Sequence, residues 1–247
     1  MISVLYIDDD PDLLILGKRF LQREEDFSVD TLEHPVQALD RIREQHYDAI
    51  VSDYMMPGMD GLALLKAIRG DGNCVPFIMF TGRGREDVVI DAFTSGASFY
   101  LQKGGDPLVQ FAELSHKIRQ AVEKRRAEEQ VRRIRSEWEH LFNAVENPIT
   151  ILAPDHRIIA ANRASLEAVG CTMAEVLGRR CFELFHHREN PPPHCPLVTM
   201  ITTKRYEVMQ MPVEAMNGRY LVSCTPELDG DGNLVSVIHI ATRISEQ

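Results

Sequence analysis

No apolar run in the 247-residue chain approaches the ~18 residues that a membrane-crossing helix needs, so no membrane span is expected. Cysteine is scarce and odd in number, with five residues at 74, 171, 181, 195 and 224, which argues against a disulfide framework. The opening segment "MISVLYIDDD" has no basic stretch before its apolar residues and turns acidic within eight positions. It reads as a first strand and not as a secretory signal, and with the few cysteines it predicts a reducing, cytoplasmic location. Positive charge is in deficit: 27 Lys and Arg stand against 37 Asp and Glu, a net charge of −10. Bulk electrostatics therefore disfavour nucleic acid, and none is expected as a partner. Glycine-rich ATP-binding boxes, cyclase or phosphodiesterase signatures and a helix-turn-helix pattern are all missing. What is present is ordinary for soluble globular chains, 44% hydrophobic and 26% charged residues over a length that suits two domains.

The first 105 residues alternate. Residues 3–7 form a β-rich run that stops at Asp8, Asp9 and Asp10, and apolar residues at 13, 14, 16, 20 and 21 then follow at near-helical spacing. Asp10 before Pro11 suits an N-cap followed by proline in the first turn. The pattern repeats, with strand-like segments at 27–32, 48–53, 76–81 and 98–101 and helical segments at 35–46, 60–69 and 85–95. Five strands alternating with helices predict an α/β doubly wound parallel sheet covered on both faces.

In such a sheet, function gathers at the carboxyl ends of the strands. Those ends carry Asp8 and Asp9, Asp53, Thr81 and Lys103. If the strands are neighbours, three carboxylates, a hydroxyl and an ammonium converge on one rim. Clustered carboxylates raise one another's pKa unless cations relieve them, and oxygen-only ligands favour a hard ion such as Mg²⁺. A carboxylate beside Mg²⁺ and Lys103 is equipped to attack a phosphoryl group.

The motifs "IDDD" (7–10), "DYMMPGMDG" (53–61), "MFTG" (79–82) and "YLQKG" (100–104) resemble the receiver domain of two-component response regulators over roughly residues 1–125. The resemblance implies the strand order 2-1-3-4-5 and makes Asp53 the phosphoacceptor for a sensor histidine kinase. It implies that Asp8, Asp9, Asp53 and the Met55 backbone carbonyl hold Mg²⁺. Thr81 would be the hydroxyl that turns toward the phosphoryl group, Tyr100 the aromatic that follows it, and Lys103 the phosphate-pairing lysine. Met55 and Arg83 fall where the family tunes hydrolysis of the acyl phosphate. Met55 cannot orient a water and Arg83 can shield phosphoryl oxygens, which predicts slow autodephosphorylation as the only reaction, self-phosphorylation apart. Gly104 and Gly105 follow the lysine where many receivers have proline. An Asp-nucleophile phosphatase would need a second catalytic Asp at the position of Met55.

Residues 107–143 hold no glycine and only one proline, at the start, and read as one long helix joining two domains. Charged pairs four apart, Lys124–Glu128, Glu128–Arg132 and Glu129–Arg133, fit its surface. Val131, Ile134, Trp138 and Leu141 form a narrow apolar stripe that suits a partner helix, so a homodimer is expected.

Beyond "VENP", strand-like runs at 149–153, 157–161, 206–211, 219–225 and 234–242 flank helical segments between 163 and 203. This predicts an α+β domain with an antiparallel sheet. The stretches "NPITILAPDHRIIAAN" (147–162), "AEVLGRR" (174–180) and "GNLVSVIHIATRISEQ" resemble a PAS sensor domain over about 137–247. The expected organisation is a receiver at 1–125, a connecting helix at 107–143 and a PAS domain at 137–247. Cys181, His186, His187, His194 and Cys195 lie within fifteen residues. Such spacing suits a transition metal or a Cys181–Cys195 redox pair. A proline-rich loop with a buried cysteine before a helix suits it too, and is the expected role, with no bound zinc or iron. The reading overall is a two-component signalling protein in which phosphorylation of Asp53 is relayed through the helix to a PAS domain whose ligand is unspecified. The alternatives are a PAS-based ligand, metal or redox sensor with a secondary receiver, and a part of a larger hybrid kinase.

Overall fold

The computed structural model describes residues 1–82 and 86–244. The chain divides into two compact units, Met1–Arg132 and Arg133–Gln247.

The first unit runs β1 (Ile2–Ile7), α1 (Pro11–Leu21), β2 (Phe27–Leu32), α2 (Pro35–Glu44), β3 (Ala49–Ser52), α3 (Gly61–Gly70), β4 (Phe77–Thr81), α4 (Glu86–Thr94), β5 (Phe99–Gln102) and α5 (Pro107–Ala144). The strands pair in parallel in the order β2-β1-β3-β4-β5. Strands β3 and β4 are buried at every position, as expected of central strands covered on both faces. Alternation splits their side chains between two cores. Val4, Tyr6, Val51, Ile78 and Phe80 pack against α1 and α5 through Leu14, Leu21, Phe111, Leu114 and Ile118. Leu5, Ile7, Ile50, Phe77 and Met79 pack with Ala38, Leu64, Leu65, Ile68 and Ala92 of α2, α3 and α4. Each such large side chain contributes ~1.5–3 kcal/mol on burial. Asp10 caps α1 by accepting from the amides of Asp12 and Leu13, with Pro11 at the first helical position.

The second unit contains β6 (Ile149–Leu152), β7 (Ile158–Ala161), α6 (Arg163–Val169), α7 (Met173–Val176), α8 (Cys181–Phe185), α9 (Pro196–Thr203), β8 (Glu207–Val213), β9 (Gly218–Leu228) and β10 (Leu234–Arg243). Its strands form an antiparallel sheet in the order β7-β6-β10-β9-β8. One core joins the sheet to the helical middle, including Leu152, Val176, Phe182, Phe185, Leu197, Met200, Val222 and Val237. Asn162, fully buried, fastens β6, β7 and α6 together. Its Oδ1 accepts from the amides of Ile149 and Ser165, and its Nδ2 donates to the carbonyls of Val145 and Asn147.

Helix α5 is continuous over 38 residues. Its surface ion pairs include Lys124–Glu128, Arg125–Glu129, Arg133–Glu137 and Arg135–Glu139. The expected pairs from Glu128 and Glu129 to Arg132 and Arg133 are replaced by pairs in which the basic residue precedes the acidic one. Both registers satisfy the four-residue spacing, so spacing alone does not select between them. Among the described residues, no helix is long and apolar enough to cross a membrane.

Candidate functional site

The carboxyl ends of β1, β3 and β5 meet around one ammonium group. Lys103 Nζ lies 2.6 Å from Asp8 Oδ2 and 2.6 Å from Asp53 Oδ1. The side chains are 1% (Asp8), 8% (Asp53) and 12% (Lys103) exposed, so the cluster is largely withdrawn from water. Buried carboxylates need such partners, because an unpaired buried charge is costly. Asp53 Oδ2 accepts from the Met55 amide at 2.6 Å, and Asp8 Oδ1 from the Asp10 amide at 3.2 Å. The Asp8 carboxyl is nonetheless held above its usual range: burial raises it further than the Lys103 hydrogen bond and charge lower it.

Two features of the sequence shape this rim. Gly61 opens α3 against the Asp53 backbone, where a Cβ would collide with the Asp53 carbonyl oxygen. Gly104 and Gly105 turn the chain after Lys103 with φ of 139° and 82°, in the region that favours glycine. Gln110 Oε1 accepts the Gly104 amide at 2.8 Å and fastens that turn to α5.

Thr81 is buried at the end of β4, and its carbonyl accepts the Lys103 amide at 2.7 Å. Tyr100 is half-buried on β5 beside the core of the α2–α3–α4 face, and burial, with the Asp53 and Tyr54 charges adding, raises its phenol. Met55 is exposed. Arg83 lies outside the described residues. Asp9 is exposed at the start of the turn after β1, while Asp8 and Asp53 form the buried pair. β1 ends at Ile7 and the chain turns so that Asp10 caps α1, with Asp9 solvent-accessible between them. Tyr6 went unnoticed in the sequence. Its hydroxyl donates to Asp8 Oδ2 at 3.1 Å, and burial followed by the Asp8 charge pushes its phenol well upward, which keeps it a donor. The signal was the two-residue spacing, which puts Tyr6 and Asp8 on one side of the strand.

A model of the response regulator receiver domain matches residues 4–119, and a model of the PAS fold matches residues 142–247. The chain is a receiver domain followed by a PAS domain. Over 147 residues it is 29% identical to the phosphoglycerate transport system transcriptional regulatory protein PgtA of Salmonella typhimurium, covering 57% of this chain and 35% of that protein. Over 105 residues it is 32% identical to the transcriptional regulatory protein ResD of Bacillus subtilis, covering 42% and 43%. The chain thus spans less than half the length of either relative. A receiver domain protein of Clostridium thermocellum of known structure is 26% identical, with a TM-score of 0.46, covering 51% of this chain and 98% of that one.

Receiver domains are generally Mg²⁺-dependent, and the donor set at the Asp8–Asp53 rim fits that ion in chemistry: it offers oxygen alone, from two buried carboxylates. Among the described residues, no three His, Cys, Asp or Glu side chains are grouped to hold a metal. Mg²⁺ commonly uses one or two carboxylates and keeps several waters, so a two-carboxylate rim still suits it.

In the PAS domain the Cys–His stretch divides between the core and the surface. Cys181 and Cys195 are buried in the core, His186 pairs through Nδ1 with Glu214 at 2.7 Å, and His187 and His194 are exposed. Among the described residues no three of these side chains are grouped to hold a metal, although buried His186 lines the same small cavity as Cys181 and Cys195, while the chain after it carries His187 and His194 to the surface. Burial, with Cys195 adding, pushes the Cys181 thiol up to about 12. His156, Cys181, Phe185, Cys195, Met211 and His239 line an interior cavity of about 10 Å³, room for about one water. Burial, with the His186 charge adding, pushes His239 down to about 4 from 6.5. A histidine held neutral in the folded state stabilises the fold above pH 6.5, and that contribution is lost as pH falls from 6.5 through 4. Urea titrations at pH 7 and pH 4.5 should show the wild-type PAS domain losing on the order of 2–3 kcal/mol more than His239→Met. Equal losses would show that His239 ionises without penalty.

On α5, Val131, Ile134, Trp138 and Leu141 are between 47% and 72% exposed. Trp138 stacks on Phe142 with ring centroids 4.7 Å apart.

Proposed function

We propose that the receiver accepts a phosphoryl group on Asp53 from a sensor histidine kinase and relays the change through α5 to the PAS domain. The observation that carries this reading is the Lys103 ammonium bridging two buried carboxylates at the strand ends. A carboxylate oxygen of Asp53 forms the bond to phosphorus as the donor's phosphorus–nitrogen bond breaks and the imidazole leaves. Lys103 stays to neutralise charge on the phosphoryl oxygens, and the Met55 amide that Asp53 Oδ2 accepts from holds the carboxylate in orientation. Asp8 and Asp53, with Asp9 and the Met55 carbonyl, would hold Mg²⁺. When bound, Mg²⁺ supplies further positive charge where negative charge develops. Thr81 and Tyr100, on adjacent strands, are placed to change the β4–β5 surface. The exposed Met55 side chain has no group that orients a water, which favours slow autodephosphorylation. The apolar stripe of α5 sets a homodimer, and the protein works in the cytoplasm.

Intact mass after treatment with acetyl phosphate and Mg²⁺ tests the centre of this reading. Wild type should gain one phosphoryl group and Asp53→Ala none. Asp9→Ala should be labelled at least tenfold more slowly at limiting Mg²⁺. An adduct that survives Asp53→Ala would sink the assignment, and unchanged kinetics in Asp9→Ala would remove Asp9 from the metal set.

A further inference from the structure

The receiver has a second concave surface at the end of its sheet opposite Asp53. Pro76, just before β4, and Ala97 and Ser98, just before β5, form its floor together with Phe99, and residues 120–132 of α5 form its wall. Its volume is about 540 Å³. Lys124, Arg125 and Arg132 face it, with Glu128 and Glu129 as the acidic residues among them. Arg125 is the unusual member. Its Nε donates to Glu129 Oε1 at 2.6 Å, but its Nη1 is buried and finds no hydrogen-bond partner among the described residues. A buried donor left unpaired costs free energy, and because Arg125 lines the groove a turn of its guanidinium would offer that donor to an acceptor that enters. A second guanidinium stands behind the floor. Arg69 donates to the carbonyls of Asn73, Val75 and Gly96, at 2.8, 2.9 and 2.9 Å, which use its donors but do not cancel its charge. Burial lowers Arg69 from its usual range, with Cys74 opposing and the like charge of Arg125 adding to the fall.

We propose that this groove binds an organic phosphate, with the Arg125 guanidinium, turned to present Nη1, and Lys124 on the phosphoryl oxygens and the apolar floor against the organic body. Phosphate matches the planar donor fork of arginine, and an anion here would relieve the Arg69–Arg125 repulsion as well as satisfy the orphaned donor. Because the wall is the last stretch of α5 within the receiver, occupancy would fasten that stretch to the loops before β4 and β5. The site would then act as a second input, separate from Asp53, on the same helix.

Phenyl phosphate and inorganic phosphate serve as probes, titrated calorimetrically into the 247-residue protein without Mg²⁺. Alkylation of Cys74, an exposed thiol at the groove, is followed in parallel by mass spectrometry. Phenyl phosphate should bind more tightly than inorganic phosphate and slow Cys74 alkylation. Arg125→Met should weaken it about tenfold, the size of one charge-assisted hydrogen bond. Glu129→Gln frees the rest of the guanidinium and should tighten binding. Equal, Arg125-dependent binding of both probes would keep the phosphate site and assign it to free phosphate. Absence of heat and of Cys74 protection for both probes, or binding indifferent to Arg125→Met and Glu129→Gln, would overturn the proposal. Since neither readout involves phosphorylation, failure here leaves the Asp53 reading standing, and the reverse.

Discussion

Replacing Lys103 by methionine should cost the receiver about 3 kcal/mol of stability, because it strands two carboxylates that are almost fully buried. Breaking a buried pair by removing one partner typically costs ~3–5 kcal/mol, and the slight exposure of the Lys103 side chain favours the lower end. The double substitution Lys103→Met with Asp53→Asn should recover a good part of the loss, since it removes one of the stranded charges. Asp53→Asn alone should be mild, because Lys103 keeps Asp8 at 2.6 Å. Urea unfolding of the four proteins at pH 7 closes the cycle. A Lys103→Met loss below about 1 kcal/mol, or additivity of the two substitutions, would mean that the carboxylates are solvated well enough to need no lysine.

The other large effect is expected on α5. Ile134→Glu with Leu141→Glu should convert a dimer to a monomer while Asp53 still accepts phosphate. Four large apolar side chains from each of two chains, each worth ~1.5–3 kcal/mol on burial, provide a substantial driving force before association costs are subtracted. Two glutamates in the seam would each carry an unpaired charge into it. Light scattering at micromolar concentration reads the outcome. A wild type that is monomeric with and without phosphorylation would mean that the stripe is an exposed helix face and nothing more.

The alternation of β-rich and helix-spaced segments made the parallel sheet legible, because each strand was bounded by residues with a clear local job, such as Asp10 at the cap of α1. Strand order was not legible from periodicity. It came with the motif resemblance, since pairing is decided by contacts far apart in sequence. In the site, Asp8, Asp53 and Lys103 could be placed at strand ends from the sequence. The exposure of Asp9 could not, because it depends on the direction in which the chain leaves β1. Tyr6 was readable from its two-residue spacing to Asp8 but is masked by its resemblance to an ordinary core aromatic. The groove under α5 left no sequence signal, because Arg125 looks like any other arginine of a charged helix. In the PAS domain, closeness in sequence left open which of Cys181, His186, His187, His194 and Cys195 share the core. Only His187 and His194 reach the surface; His186 stays beside the cysteines.

Lys103 is 95 residues from Asp8 and 50 from Asp53 along the chain. A ribosome that has released only the first four strands has therefore made both acids and not the cation that offsets their burial. The nascent sheet carries that electrostatic debt until β5 docks at its edge. Completion of the last strand is thus coupled to the appearance of a competent acceptor, so that a truncated or half-folded chain holds the aspartate without the neighbour that readies it.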